Sequence, residues 1–291
     1  MGIQKLSTLP GASKGQYAFN AAVVSSATIT PTTVTDSGKT YACYQFTGSG
    51  TITFSAAGNI EILVVGGGGC SFPSSTSTYK TGGGAGGYIY RQSYYVPATG
   101  TYTVTVGAGG PTNPGNVFYS NNGGHSSFID LYAIGGGGGN NSTAGFDGQW
   151  GGSGSGASGA AKTTGIAVTG QGYTGALVAT GFGAGGGSAG AASGSTAGIG
   201  TSNSITGTSV TYAKGGDSTT VNTANTGNAR GITDGNGNSG VVIIRVDISN
   251  YVSQSSGVIA SGGTETTYTG DGINGTLNQN YKVHTFTGSG T

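Results

Sequence analysis

Residues 59–69 read Asn59-Ile-Glu-Ile-Leu-Val-Val-Gly-Gly-Gly-Gly69, a continuous β-branched run that ends on four glycines. An apolar run this short, without polar alternation, reads as a central strand covered on both faces. No helical period opens after the glycines, so they are not the phosphate-binding turn of a dinucleotide fold. The same grammar returns in mirror order at Gly240-Val-Val-Ile-Ile-Arg245. Between the two, Thr101-Tyr-Thr-Val-Thr-Val106 alternates strictly, as a strand with one wet face does.

Working outward, β-rich runs are expected at 50–55, 60–65, 88–96, 101–106, 127–134, 209–213 and 241–246. The fold class is therefore all-β: a glycine-rich, sandwich-like module. Stretches such as 135–139, 151–159 and 181–190 leave almost nothing to bury. Glycine there needs a structural reason: either polyglycine II-like strands packed backbone to backbone, or irregular flexible insertions. Isolated Ile, Phe, Leu and Val among the glycines favour packed strands.

Glycine supplies 64 of the 291 residues, while hydrophobic residues make up 34% and charged residues 7%. Ordinary domains hold roughly 45–50% apolar and about 25% charged residues, so the core is thin or shared between chains. A formal net charge of +1 and 16 tyrosines argue against disorder. Ten scattered Lys and Arg form no stripe for nucleic acid. The apolar runs are much shorter than the ~20 residues of a membrane span, and the first residues lack the apolar stretch of a signal peptide.

Tyr41-Ala-Cys-Tyr-Gln-Phe-Thr-Gly-Ser-Gly-Thr51 recurs as Tyr281-Lys-Val-His-Thr-Phe-Thr-Gly-Ser-Gly-Thr291. Cys43 faces Val283 in this alignment, which marks a small buried position and not a reactive thiol. The second copy breaks off in mid-motif, which implies a tandem array. The expected organisation is an extended N-terminal attachment arm over 1–40 and a glycine-rich β domain over 41–248. A linker over 249–280 and the start of a second domain at 281–291 follow.

Residues 59–69, Gly82-Gly-Gly-Ala-Gly-Gly-Tyr88, Val96-Pro-Ala-Thr-Gly-Thr-Tyr-Thr-Val-Thr-Val-Gly-Ala-Gly-Gly110 and 240–245 resemble, in this order, the glycine-rich domain family of phage structural and tail fibre proteins. The resemblance implies a virion component repeated along a fibre and, in related adhesins, a bundle of polyglycine II helices carrying variable loops. Its location would be the surface of a phage particle.

No cofactor or metal is expected. Asp234-Gly-Asn-Gly-Asn-Ser-Gly240 imitates a calcium loop but has Ser239 in place of the turn glycine and Arg245 in place of the bidentate glutamate. Glycoside hydrolysis would need paired carboxylates; Glu61 and Glu265 are separated, and His125 beside Asp130 reads as a loop histidine. The candidate contact residues are aromatics stranded among glycines: Tyr79, Tyr119, Phe146, Trp150, Tyr173 and Phe182. They either grip a receptor or plug a thin core or trimer axis. The expected role is a non-enzymatic tail fibre or adhesin module. Its partners are other virion proteins through residues 1–40, further copies of itself, a trimer above all, and a host glycan or protein. An architectural head fibre or decoration protein and a cellular adhesive filament are the alternatives.

Overall fold

The computed structural model describes residues 21–71, 78–112, 121–142, 145–218, 223–231, 236–249, 264–269 and 280–285. They form two units, 1–247 and 248–291, and the described structure is all-β.

Two five-stranded sheets organise the first unit. One has the order β2 (Thr32–Asp36), β3 (Lys39–Phe46), β17 (Val241–Asp247), β5 (Gly58–Val65), β7 (Tyr88–Val96). The other runs β1 (Val23–Ala27), β4 (Gly50–Ala56), β8 (Gly100–Thr105), β9 (Ser126–Phe128), β10 (Leu131–Ala133). They share one core, to which the first contributes Phe46, Ile62, Val64, Val242 and Ile244 and the second Ile52, Phe54, Val104 and Phe128. Alternation puts Leu63, Val65, Val241 and Ile243 on the opposite face of the first sheet, in a second core with Cys43, Ile205 and Tyr212. A small hairpin, β15 (Thr201–Asn203) and β16 (Val210–Tyr212), supplies Tyr212 to that cover. The uninterrupted apolar character of β5 and β17 thus has its cause: both faces are buried.

Three sequence expectations change. The run 127–134 is two strands, because Ile129 adopts φ 53° and turns the chain so that Phe128 pairs with Leu131. Within the expected arm, residues 1–20 lie outside the described residues. Residues 21–40 hold β1 and β2, which pair with β4 and β3 at the edges of the two sheets, so the described part of the arm belongs to the domain. The expected linker contains β18 (Thr264–Thr269), antiparallel to β19 (Asn280–Thr285) in the second unit.

That last hairpin is antiparallel, as β2–β3 is. Thr32 faces Cys43 and Val34 faces Tyr41, while Thr266 faces Val283 and Tyr268 faces Tyr281.

The glycine-rich segments are packed threads. The amides of Gly66, Gly67, Gly68 and Gly69 donate to Gly87, Gly124, Asn238 and Gly84, so the first and fourth address the same neighbour. From Gly82 to Gly87 the acceptors are Gly183, Arg230, Gly137, Gly186, Gly227 and Ile134, three neighbours visited twice in rotation. A chain with three residues per turn and no internal hydrogen bonds behaves this way, whereas a pleated strand points its groups to two sides. Thread 82–87 also accepts from Gly66 and Gly69, from Ser153 and Gly156, and from Gly216. It is thus surrounded by six threads.

Traced throughout, these bonds describe a hexagonal array. One row holds threads 121–124, 134–140, 151–157 and 172–176; the middle row 107–110, 66–70, 82–87 and 183–188; the third 236–240, 226–231, 213–217 and 198–200. Residues 146–151 and 163–168 lie on the flank of the first row. Six threads continue strands of the two five-stranded sheets with at most one residue between: β5 into 66–70, β8 into 107–110, β10 into 134–140, and 82–87, 121–124 and 236–240 into β7, β9 and β17. Side chains complete the lattice where a neighbour is lacking. His125 Nδ1 accepts from Gly135 N–H at 2.9 Å, and Asn122 Oδ1 from Gly138 N–H at 2.7 Å, three residues on.

Candidate functional site

One polar group crosses the first sheet with one residue from each strand. Arg245 of β17 is buried, with its guanidinium 2.5 Å from Glu61 Oε2 on β5 and 3.2 Å from Asp36 Oδ2 on β2. Tyr90 of β7 donates to Glu61 Oε1 at 2.6 Å, and the Tyr41 ring of β3 lies 4.2 Å beneath the guanidinium. Both Glu61 oxygens are therefore engaged. Its carboxylate is the counter-ion of Arg245.

The other chemical candidates are also absorbed by the fold. His125 uses Nδ1 to cap a thread, and Asp130 accepts from the Tyr94 hydroxyl. Asn236 Oδ1 of the calcium-like segment accepts from the Thr112 amide at 2.8 Å, and Gly237 and Gly240 donate to Gly110 and Gly107 as thread residues. Gly154–Gly159, which matches the dinucleotide pattern, is the end of thread 151–157 together with β12 (Ala157–Ser158). Cys43 is buried, and burial pushes its thiol pKa up. Among the described residues, no group of His, Cys, Asp and Glu could hold a metal, and no helix is long and apolar enough to cross a membrane.

Burial also raises the phenol pKa of Tyr88, Tyr90, Tyr94 and Tyr212, the last to about 12 against an ordinary value of 10.0. Below the ordinary value these phenols are neutral in folded and unfolded chains, and their contribution to stability is complete. As pH rises from about 10, the unfolded chain releases protons that the folded chain retains, so stability falls. Melting temperatures measured from neutral pH to about pH 12 are expected to hold steady and then drop through this upper window.

The five described aromatics separate into two groups. Tyr79 is half-buried on β6 (Tyr79–Thr81), beside β14 (Gly181–Gly183), which carries the half-buried Phe182; β11 (Asn141–Ser142) closes that small sheet. The Phe182 ring end comes within 3.0 Å of where a Gly82 Cβ would stand, so this ring fills space at the end of a thread. Phe146 is half-buried and bridged to Ser158. Trp150 and Tyr173 are free-standing, 63% and 49% exposed. Tyr119 lies outside the described residues.

Sequence reading missed Ile166, 70% exposed, because an isolated isoleucine carries no signal of its own. A parallel bridge between Gly151 and Ala167 sets its backbone beside that of Trp150. Asn122 Nδ2 donates to the Trp150 carbonyl at 3.2 Å, and Gly151 N–H to the Ile166 carbonyl at 3.2 Å, so the backbone under both side chains is fixed.

A family description, glycine-rich domain, matches residues 45–291. No curated protein matches the sequence.

Proposed function

Because the chain belongs to the glycine-rich domain family, we propose that it is a non-enzymatic structural component of a phage particle, a tail fibre or adhesin module that contributes to host attachment. The observation that carries this reading is the run-on of six sheet strands into the hexagonal array. A scaffold hydrogen-bonded in three directions holds the loops between its threads on fixed stems, which suits presentation of variable contact surfaces. In this reading the two sheets form a β-sandwich, the threads are polyglycine II helices, and β18–β19 opens a second module of a tandem array. The thin core is completed by symmetric association, a trimer being the usual fibre solution. Several modules then bind a host glycan or protein with the gain of multivalency.

Gold-labelled antibody against residues 41–248, applied to purified phage particles, tests the location. Gold on tail fibres is the expected result. Gold over heads would transfer the module to a head fibre or decoration protein, and unlabelled particles would overturn the virion reading.

A further inference from the structure

Trp150 and Ile166 leave their side chains outside the array. Their backbones are bonded into it, yet the side chains are 63% and 70% exposed on its flank. Adjacent large apolar groups left in water on a rigid base offer a contact surface.

We propose that Trp150 and Ile166 form a lateral platform for a neutral sugar ring of a glycan. Size argues first. An exposed indole and its aliphatic neighbour offer on the order of 250 Å², about a third of the roughly 800 Å² that each side of a stable protein interface buries. The pair is too small to seat a second copy of the chain and matches the apolar face of one ring. Charge argues next. Residues 146–151 and 162–168 contain a single acid and a single base, Asp147 and Lys162, and these lie 3.6 Å apart as each other's counter-ion. These two segments leave no lone charge to recognise a phosphate, a sulfated sugar or an acidic peptide, whereas Thr164 supplies a neutral hydroxyl suited to a sugar hydroxyl. Fixed backbone on both threads removes the ordering cost that a flexible loop would bear.

The proposal rests on the adhesin reading for its biological purpose, but its test is separate. Trp150 is the only tryptophan of the chain, so indole emission reports this site alone. The full chain is titrated with maltoheptaose, cellohexaose and chitotetraose, with heparin as the acidic comparison. A saturable emission change with a neutral oligosaccharide is expected, lost in Ile166→Asp, with heparin silent. Calorimetry on Trp150→Ala, whose exposed position leaves the fold intact, is expected to show no binding of the same sugar. The proposal is overturned if no neutral sugar moves the emission, if only heparin does, or if emission shifts with protein concentration alone, which would reveal self-association. Attachment of the wild-type chain to host cells is measured in parallel. Sugar binding without attachment overturns the adhesin reading and leaves the platform standing; attachment without sugar binding does the reverse.

Discussion

Gly67→Val is expected to destabilise the fold by at least about 4 kcal/mol. A Cβ at this position would stand 2.0 Å from the Ala108 carbonyl oxygen and 2.6 Å from its carbon. Both are backbone atoms, so no rotamer change relieves the contact. Overpacking costs about 1–3 kcal/mol where side chains can shift; here two threads must part. Their separation also endangers the bonds Gly67 makes to Gly124 and Gly136, each worth about 1 kcal/mol net. Total stability of domains is about 5–15 kcal/mol, so a change of this size removes much of it. Gly48→Val is the control, since a Cβ there meets nothing within 4 Å. Its effect is expected to stay within about 0.5 kcal/mol. Urea unfolding followed by circular dichroism separates the cases, and a Gly67→Val protein as stable as the control would refute the close-packed array.

The ladder across the first sheet gives the second large effect. Arg245→Ala is expected to cost about 3–5 kcal/mol, because Glu61 is left as a buried charge without its counter-ion. The double change Arg245→Met with Glu61→Leu is expected to recover most of that loss, since removing both charges removes the desolvation cost with the attraction. Asp36 is 48% exposed on its side chain, so Asp36→Asn is expected to cost under about 1 kcal/mol. Thermal unfolding of the three variants checks this ordering. Equal damage from the single and the double change would show that Arg245 matters through packing of its stem.

The strands were legible where burial dictates the residue. Ile62–Val65 and Val241–Ile244 sit between two cores, and only β-branched or aliphatic side chains fill both sides. Ile129 carried no turn signal, since a β-branched residue at positive φ is chosen by the packing of Phe128 and Leu131 and not by local preference. The threads were legible as glycine but not as geometry. A period of three leaves no trace when every position is small, and threads such as 226–231, with Asn228 and Arg230, do not advertise themselves. For the same reason composition could not tell Trp150 and Tyr173, which face water, from Tyr79, Phe146 and Phe182, which are half-buried. That distinction depends on which side of the array each ring leaves.

Thread 82–87 takes 183–188 as a parallel neighbour and 134–140 and 226–231 as antiparallel ones, with the same rotation of amides toward each. A pleated sheet pairs differently in the two senses, and a one-residue slip there turns every side chain to the wrong face. The array imposes neither restriction, because a thread of small residues has no inside or outside and no privileged heading. A segment added at the rim can dock whichever way its loop delivers it, so the scaffold can be lengthened or trimmed sideways while the sheets that anchor it keep their register.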